Sequence, residues 1–306
     1  MEATTFFAYA RRAPFGGRLS QGQINGMNAL FRCWNSHKIP GPDNRHLAYI
    51  LASVLYETGG RMVPVRETFA STDAGAIAAL DKAYSAGRLG QVSKPYWRKG
   101  ANGKAYFGRG VIQLTHKENY RKLGKRIGVD LVGNPALALD LDTSAEIAIV
   151  GMLEGLFTGR KLTEFFNLEK DDPIGARAGV NGTDKAKLIA GYYKSFLDAL
   201  EAATIARIQG KPPADVTTLD AQPDNVPAAQ SKSLWTIIAG VFGAGGLSAV
   251  SRSSTAGING SDCHPVLPRA ARYRGTAAKM GQPQNCVMNV NEEAFRFMPG
   301  GFCVSC

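Results

Sequence analysis

The sequence predicts a mainly α-helical domain that carries one small β-hairpin. Two patterns support this fold class. Apolar residues recur at three- and four-residue spacing in several segments of residues 1–205, and one aromatic segment contains a favoured hairpin turn. The chain has 306 residues, of which 44% are hydrophobic and 20% are charged, as in a globular protein of one or two domains. We therefore expect a real hydrophobic core within residues 1–205.

The helices are predicted from apolar periodicity and from residues that begin or end helices. The segment 46–57 is apolar on almost every side, which indicates a buried helix, and the other segments are amphipathic. The helix from residue 115 is predicted to start with a capping box, because Thr115 is followed three positions later by Glu118. The predicted helices span residues 21–34, 46–57, 72–88, 115–127, 144–157 and 183–203.

The predicted hairpin spans residues 95–107. Its aromatic residues lie on both sides of Asn102-Gly103, a dipeptide that favours a tight hairpin turn. Tyr96 and Tyr106 are candidates for stacking on a ligand, although hairpin aromatics belong to a core as often.

Two carboxylates lie ten positions apart, at the end of the buried helix and in the loop that follows it. Glu57 ends the buried apolar helix, so partial desolvation should raise its pKa and keep it protonated near neutral pH. Gly59 and Gly60 should end the helix, because glycine accepts the left-handed backbone of a C-terminal cap. Glu67 follows Arg66 in a loop and is expected to be exposed and ionised. Such a pair suits general acid–base cleavage of a glycosidic bond.

Three motifs of this sequence resemble those of glycoside hydrolase family 19, and more narrowly its phage and prophage endolysin branch. They are Tyr56-Glu-Thr-Gly-Gly60, Tyr106-Phe-Gly-Arg-Gly-Val-Ile-Gln-Leu-Thr-His116 and Val180-Asn-Gly-Thr183. The resemblance covers about residues 5–203. It implies a lysozyme-like, mainly helical fold with a cleft between two lobes. It also implies inverting hydrolysis of β-1,4-linked N-acetylated sugars without a cofactor.

The resemblance also implies roles for individual residues. Glu57 matches the general acid, and Glu67 matches the general base that activates water. Thr115 matches the residue that helps to hold this water, although an N-cap threonine is also explained by backbone hydrogen bonding. Gln113 and Asn181 match positions that line the sugar-binding cleft.

The sequence departs from the family motif at one position, and its tail holds a group of metal-ligand residue types. Tyr56 precedes the acid where the family commonly has histidine, which weakens inference about how the acid is oriented. Metal-ligand residue types occur near the C-terminus, but their spacing matches no zinc pattern well, and no metal site is predicted. These are Cys263, His264, Cys286, Cys303 and Cys306.

The expected substrate is a polysaccharide of the bacterial cell wall. The net charge is +11, and residues 1–205 carry 27 Lys and Arg against 19 Asp and Glu, which predicts attraction to a polyanion. We find no nucleic-acid-binding motif. Peptidoglycan cleavage suits a bacterial protein without a signal peptide or a disulfide in residues 1–205, and a monomeric endolysin is expected. Three alternatives stay open: a chitinase, a lytic transglycosylase, and a non-catalytic, membrane-tethered module that binds the cell wall.

The chain after residue 205 is predicted to differ from the catalytic domain. Residues 206–232 have the composition of a flexible linker, and residues 233–250 form an uncharged apolar segment near the lower length limit of a transmembrane helix. Residues 251–306 are predicted to be disordered. The first fifteen residues lack a signal peptide, and Cys33 is the one cysteine before residue 206. We therefore expect synthesis in the bacterial cytoplasm, with the apolar segment as an inner-membrane anchor.

Overall fold

The computed structural model describes residues 2–37, 43–89 and 92–224, and within them the chain is mainly helical. The prediction of a mainly helical fold is confirmed. One small antiparallel sheet pairs β1 (Val65–Arg66) with β2 (Arg109–Gly110). The α-helices span Ala3–Arg12 (α1), Gln21–Ser36 (α2), Asn44–Glu57 (α3), Asp73–Ser85 (α4), Lys117–Ile127 (α5), Leu141–Leu153 (α6) and Ala186–Gln209 (α7).

Helix α3 is deeply buried in the fold. Its residues from His46 to Glu57 are all buried, as expected for a helix that is apolar on every side. It packs mainly against α7 and also contacts α6 and α2. The helix begins after Asp43, whose carboxylate accepts a hydrogen bond from the Arg45 amide at 2.8 Å. This packing fixes the position of the last residue, Glu57.

The two glycines end α3 as the sequence predicts. Gly59 and Gly60 have φ angles of +56° and +83°, in the region that favours glycine. The Gly60 amide donates to the Leu55 carbonyl at 2.8 Å and so closes the last turn. The buried amide of Gln23, on α2, donates to the Gly60 carbonyl at 2.8 Å. The turn that follows Glu57 is therefore tied to a neighbouring helix.

The interior of the described residues contains three hydrophobic clusters. The largest joins α1, α2, α3, α6 and α7. The second surrounds Tyr120 of α5 and includes Tyr106 and Leu114. The third surrounds Trp97 and includes Leu80 of α4. The irregular segment between α4 and α5 is therefore held by two small clusters.

The predicted hairpin over residues 95–107 is wrong. This segment forms turns and irregular structure, and its Trp97 and Phe107 are fully buried. The Asn102 side chain does not sit in a two-residue turn between strands. Its amide donates to the Tyr106 hydroxyl at 2.6 Å. Burial of the aromatic rings, rather than strand pairing, decides the conformation here.

The predicted capping box at the start of α5 is also wrong. The helix begins at Lys117, and the N-cap is His116, whose φ is +69°. The Thr115 hydroxyl donates to the Gln113 carbonyl at 2.9 Å instead of bonding the first turn of the helix. The local bond in the preceding loop therefore competes successfully with the cap.

The structure differs from the predicted linker over residues 206–224. Helix α7 continues to Gln209, and the chain then returns to α1, a helix that the sequence analysis did not predict. Arg11 of α1 forms an ion pair with the Asp224 carboxylate at 2.8 Å. The same carboxylate accepts a hydrogen bond from the Leu19 amide at 2.6 Å.

The rest of the predicted linker, the apolar segment 233–250 and the tail 251–306 lie outside the described residues. In the ranges that the structure covers, no helix is both long enough and apolar enough to cross a membrane.

Candidate active site

The Glu57 side chain leaves the last turn of α3 and forms a buried ion pair with Arg177. Arg177 Nη1 donates to Glu57 Oε1 at 2.8 Å, and the two side chains are only 1% and 3% exposed. Burial raises the pKa of Glu57 above its ordinary value, and the nearby guanidinium opposes this shift. Arg177 Nε also donates to the Asp184 carbonyl at 3.2 Å. The guanidinium is therefore held in place from two sides.

Arg177 was not predicted from the sequence as a site residue. It is 120 positions from Glu57 in the chain and lies in the short 3-10 turn Gly175–Gly179, which shows no helical periodicity. Its one signal in the sequence is its place just before the Val180–Thr183 motif. A charged residue next to a motif is usually solvated, so this signal is weak.

Glu57 forms part of the wall of a cleft of about 680 Å³. Gln113, Thr115 and Asn181 line the same cleft, so the structure brings the predicted acid together with three other predicted site residues. The cleft lies where two hydrophobic clusters meet, because its wall includes Val180 of the largest cluster and Leu114 of the second. Its other lining residues come from α5, from the loop after α6 and from the turn before α7.

Asn181 is a cleft residue with unused hydrogen-bonding capacity. Asn181 is buried, and its Nδ2 has no hydrogen-bond partner within the described part of the chain. A buried amide donor without a partner costs free energy, which a bound acceptor would recover. Asn181 is therefore suited to donate to a carbonyl or hydroxyl oxygen of a ligand in the cleft.

Glu67 is buried, so the prediction that it is exposed is wrong. It is 2% exposed, and both its oxygens accept hydrogen bonds: the Tyr96 hydroxyl donates to Oε1 at 2.5 Å and the Gly108 amide donates to Oε2 at 2.7 Å. Burial raises the pKa of Glu67, and these hydrogen bonds oppose the shift. Arg66, expected beside it, pairs with Asp73 at 2.7 Å instead.

Glu67 is next to the cleft but is not among its lining residues. Gln113 connects the two places. Its Oε1 and the Glu67 Oε2 lie 2.7 and 3.3 Å from the position that a β-carbon on Gly108 would occupy. The Gln113 side chain is held there by hydrogen bonds from Nε2 to the Val65 and Gly110 carbonyls, at 3.2 and 3.1 Å. In this conformation, Gln113 therefore contacts the cleft and borders Glu67.

Both glutamates, Gln113 and Thr115 lie in the segment that matches a known family. Residues 37–152 match the family model of the class I chitinases, glycoside hydrolase family 19. The match confirms the resemblance for this segment and supports the predicted glycosidase. Arg177 and Asn181 lie beyond it.

Individual relatives match over shorter stretches or at lower identity. Over 37 residues, the chain is 57% identical to Endochitinase 4 of Solanum tuberosum and to Basic 30 kDa endochitinase of Solanum lycopersicum, and this stretch is 12% of this chain and 12% of each relative. A solved bacterial family 19 chitinase is 21% identical, with 65% of this chain and 94% of that chain covered and a TM-score of 0.37. Chitinase C from Streptomyces griseus HUT6037 is 18% identical, with 69% and 77% covered and a TM-score of 0.37.

Tyr96 and Tyr106 were predicted to stack on a ligand. Both contact other groups of the protein instead, and neither lines the cleft. Besides its bond to Glu67, Tyr96 packs its ring 4.9 Å from the ring of His116. The Tyr106 hydroxyl donates to the Val132 carbonyl at 2.9 Å. Tyr96 therefore positions Glu67, whereas Tyr106 belongs to the second hydrophobic cluster.

An ion-pair network supports the backbone around Glu67. Asp73 of α4 accepts hydrogen bonds from Arg66 and Arg109, both at 2.7 Å. Arg109 is buried, and its guanidinium carbon lies 3.7 Å from the centre of the Phe107 ring. Arg109 is thus a structural ion-pair partner of Asp73. In the described ranges, no group of three or more His, Cys, Asp or Glu residues is placed to hold a metal ion.

Proposed function

We propose that this protein hydrolyses β-1,4 bonds of N-acetylated glycans by an inverting acid–base mechanism, with peptidoglycan as its substrate. The observation that carries the proposal is the buried Glu57 carboxyl group in the wall of the cleft. Burial raises its pKa, which favours the protonated form that a general acid needs. The match to the class I chitinases supports the same chemistry.

Glu57 acts as the general acid and Arg177 controls which oxygen carries the proton. Because Arg177 donates to Oε1, the proton of the neutral acid resides on Oε2. Oε2 donates this proton to the glycosidic oxygen as the bond to the anomeric carbon breaks. The carboxylate that remains is stabilised by Arg177, which can form only donor contacts.

Glu67 acts as the general base once the Tyr96 hydroxyl no longer donates to its Oε1. A water molecule replaces the Tyr96 hydroxyl on Oε1, and Glu67 takes a proton as this water attacks the opposite face of the sugar. The Thr115 hydroxyl uses its proton on the Gln113 carbonyl, so it can accept a hydrogen bond from the water. For inversion, the two carboxyl groups should then be about 6.5–9.5 Å apart.

Peptidoglycan is preferred because residues 1–205 are basic, with 27 Lys and Arg against 19 Asp and Glu. Peptidoglycan carries carboxylates on its peptides, whereas chitin is neutral. Chitin is the second candidate, and the matches to plant endochitinases favour it. With either substrate, Asn181 can donate a hydrogen bond to an acetamido oxygen of the glycan. Membership of the endolysin branch, a monomeric state and membrane association through residues 233–250 belong to the same proposal.

The test uses purified peptidoglycan and chitin oligosaccharides with the full chain and two variants. Glu57→Gln should lower the release of reducing ends by about 10²–10⁴-fold, the usual contribution of a general acid. Glu201→Gln, which changes an exposed glutamate of α7, should retain native activity.

Each outcome has a distinct meaning. Faster cleavage of peptidoglycan than of chitin supports the proposal, and the reverse favours a chitinase. Near-native activity of Glu57→Gln contradicts the acid assignment. Binding without cleavage by the native protein favours a wall-binding module.

A further inference from the structure

A second groove of about 630 Å³ lies beside the cleft that contains Glu57. The two share Ala178 and Thr183 in their walls, so they are adjacent. The second groove is rich in cations, and Asp172 is the one acidic residue in its lining. Its cationic residues are Arg160, Lys170, Lys185 and Lys187.

The cations of this basic groove are not all neutralised by protein carboxylates. Arg160 pairs with Glu164 at 2.6 Å, and Lys170 pairs with Asp172 at 3.3 Å. Lys185 and Lys187 form no ion pair among residues 2–37, 43–89 and 92–224. An anionic ligand could therefore bind Lys185 and Lys187 without displacing a protein carboxylate.

The basic groove also presents an exposed apolar side chain. Ile174 is 51% exposed in its wall. The Phe165 ring is buried beneath two of the cations, with the Arg160 guanidinium carbon at 4.8 Å and the Lys170 Nζ at 5.1 Å from its centre. A cluster of cations beside an exposed aliphatic side chain suits a short peptide that carries both carboxylates and alkyl groups.

We infer that the basic groove binds the carboxylate-bearing peptides of peptidoglycan while the glycan strand occupies the cleft. This inference rests on the proposed function. The peptides branch from the sugar chain, and Ala178 and Thr183 join the place of the sugar to the groove. Chitin has no such branch. The groove therefore selects peptidoglycan over chitin by a contact that lies away from the bond that is cleaved.

The experiment compares one glycan with and without its peptides. Soluble peptidoglycan strands are divided into two portions, and an amidase removes the peptides from one of them. The double variant Lys185→Glu/Lys187→Glu is compared with the native chain and with Lys82→Glu, which reverses the charge of an exposed lysine on α4.

The expected result is a change in substrate preference. In the double variant, the ratio of kcat/KM for intact strands to kcat/KM for stripped strands should fall about tenfold, mainly through KM, because two ion contacts at the surface of the groove become repulsive. The ratio should stay at the native value in Lys82→Glu. Added salt should reduce the native preference for intact strands, since the contacts are exposed to solvent.

Two outcomes would overturn the inference: an unchanged ratio in the double variant, or an equal loss on intact and stripped strands. A separate arm keeps the inference testable if the native chain cleaves neither glycan, in which case the proposed function fails. NMR titration with the released peptide, which contains alanine, glutamate and diaminopimelate, should shift resonances of the basic groove in the native chain. These shifts should be lost in the double variant. Shifts that persist in the double variant would by themselves contradict the assignment of the peptide to the basic groove.

Discussion

Replacement of Arg177 by methionine tests the chemistry assigned to Glu57. The substitution keeps an unbranched side chain but removes the charge that lies 2.8 Å from Glu57 Oε1. Two unit charges with centres about 4 Å apart interact by about 4 kcal/mol at an effective dielectric constant near 20. Because Arg177 opposes the upward shift caused by burial, the pKa of Glu57 should rise further in Arg177→Met.

The assay is the pH dependence of kcat/KM on a soluble glycan. The general acid sets the alkaline limb of this profile, so the limb should move to higher pH in Arg177→Met. The plateau should fall by up to about 10³-fold, because the carboxylate formed by proton transfer loses about 4 kcal/mol of stabilisation. Arg177→Lys should recover part of both effects. An alkaline limb that stays in place or moves to lower pH would refute the assigned coupling.

Unfolding in urea separates this effect from general damage. Loss of one partner of a buried ion pair typically costs about 3–5 kcal/mol, and the double variant Glu57→Gln/Arg177→Met should recover part of that loss. The matched control is Arg126→Met, whose pair with Glu154 is exposed. Its cost should stay below about 1 kcal/mol.

The remaining predictions concern packing and pH. A β-carbon at Gly26 would lie 1.7 Å from the Met62 carbonyl oxygen, so Gly26→Ala should lower the free energy of unfolding by about 1–3 kcal/mol or more. Gly22→Ala, in the same helix, would meet nothing closer than 3.8 Å and should be neutral or stabilising by up to about 1 kcal/mol; equal urea midpoints for the two variants would contradict this. The raised pKa of Glu67 means that its favourable contribution is present at acidic pH and is lost as pH rises through the folded-state pKa. Glu67→Gln, which resembles the protonated form, should therefore match the native chain in thermal unfolding at pH 4 and exceed it at pH 8; lower stability at both values would show that the buried group is not protonated.

Local information in the sequence was sufficient for six of the seven described α-helices and for the buried position of Glu57 at the end of α3. The apolar run before Glu57 predicts a buried helix because no face of it can remain in water, and α3 is buried from His46 to Glu57. Gly59 and Gly60 predict where the helix ends because the cap needs a left-handed backbone. These features depend on residues within one or two turns of each other. The same holds for the motifs that carry the family resemblance.

Local signals failed where another contact competes for the same residue. Thr115 has the spacing of a capping box, yet its hydroxyl bonds the Gln113 carbonyl. The aromatic segment 95–107 has a turn dipeptide, yet burial of Trp97 and Phe107 replaces strand pairing. The residues that start and end these segments do not specify which cluster the aromatic rings join.

The sequence by itself determined that the chain contains a buried helix ending in a glutamate, two glycines that stop it and a second glutamate ten positions later. Only the tertiary structure decided what surrounds each carboxylate. Arg177 reaches Glu57 across 120 positions of the chain, and the Gly108 amide and the Tyr96 hydroxyl enclose Glu67. The physical reason is that helix periodicity depends on neighbours in the chain, whereas the burial and charge environment of a carboxyl group depend on neighbours in space.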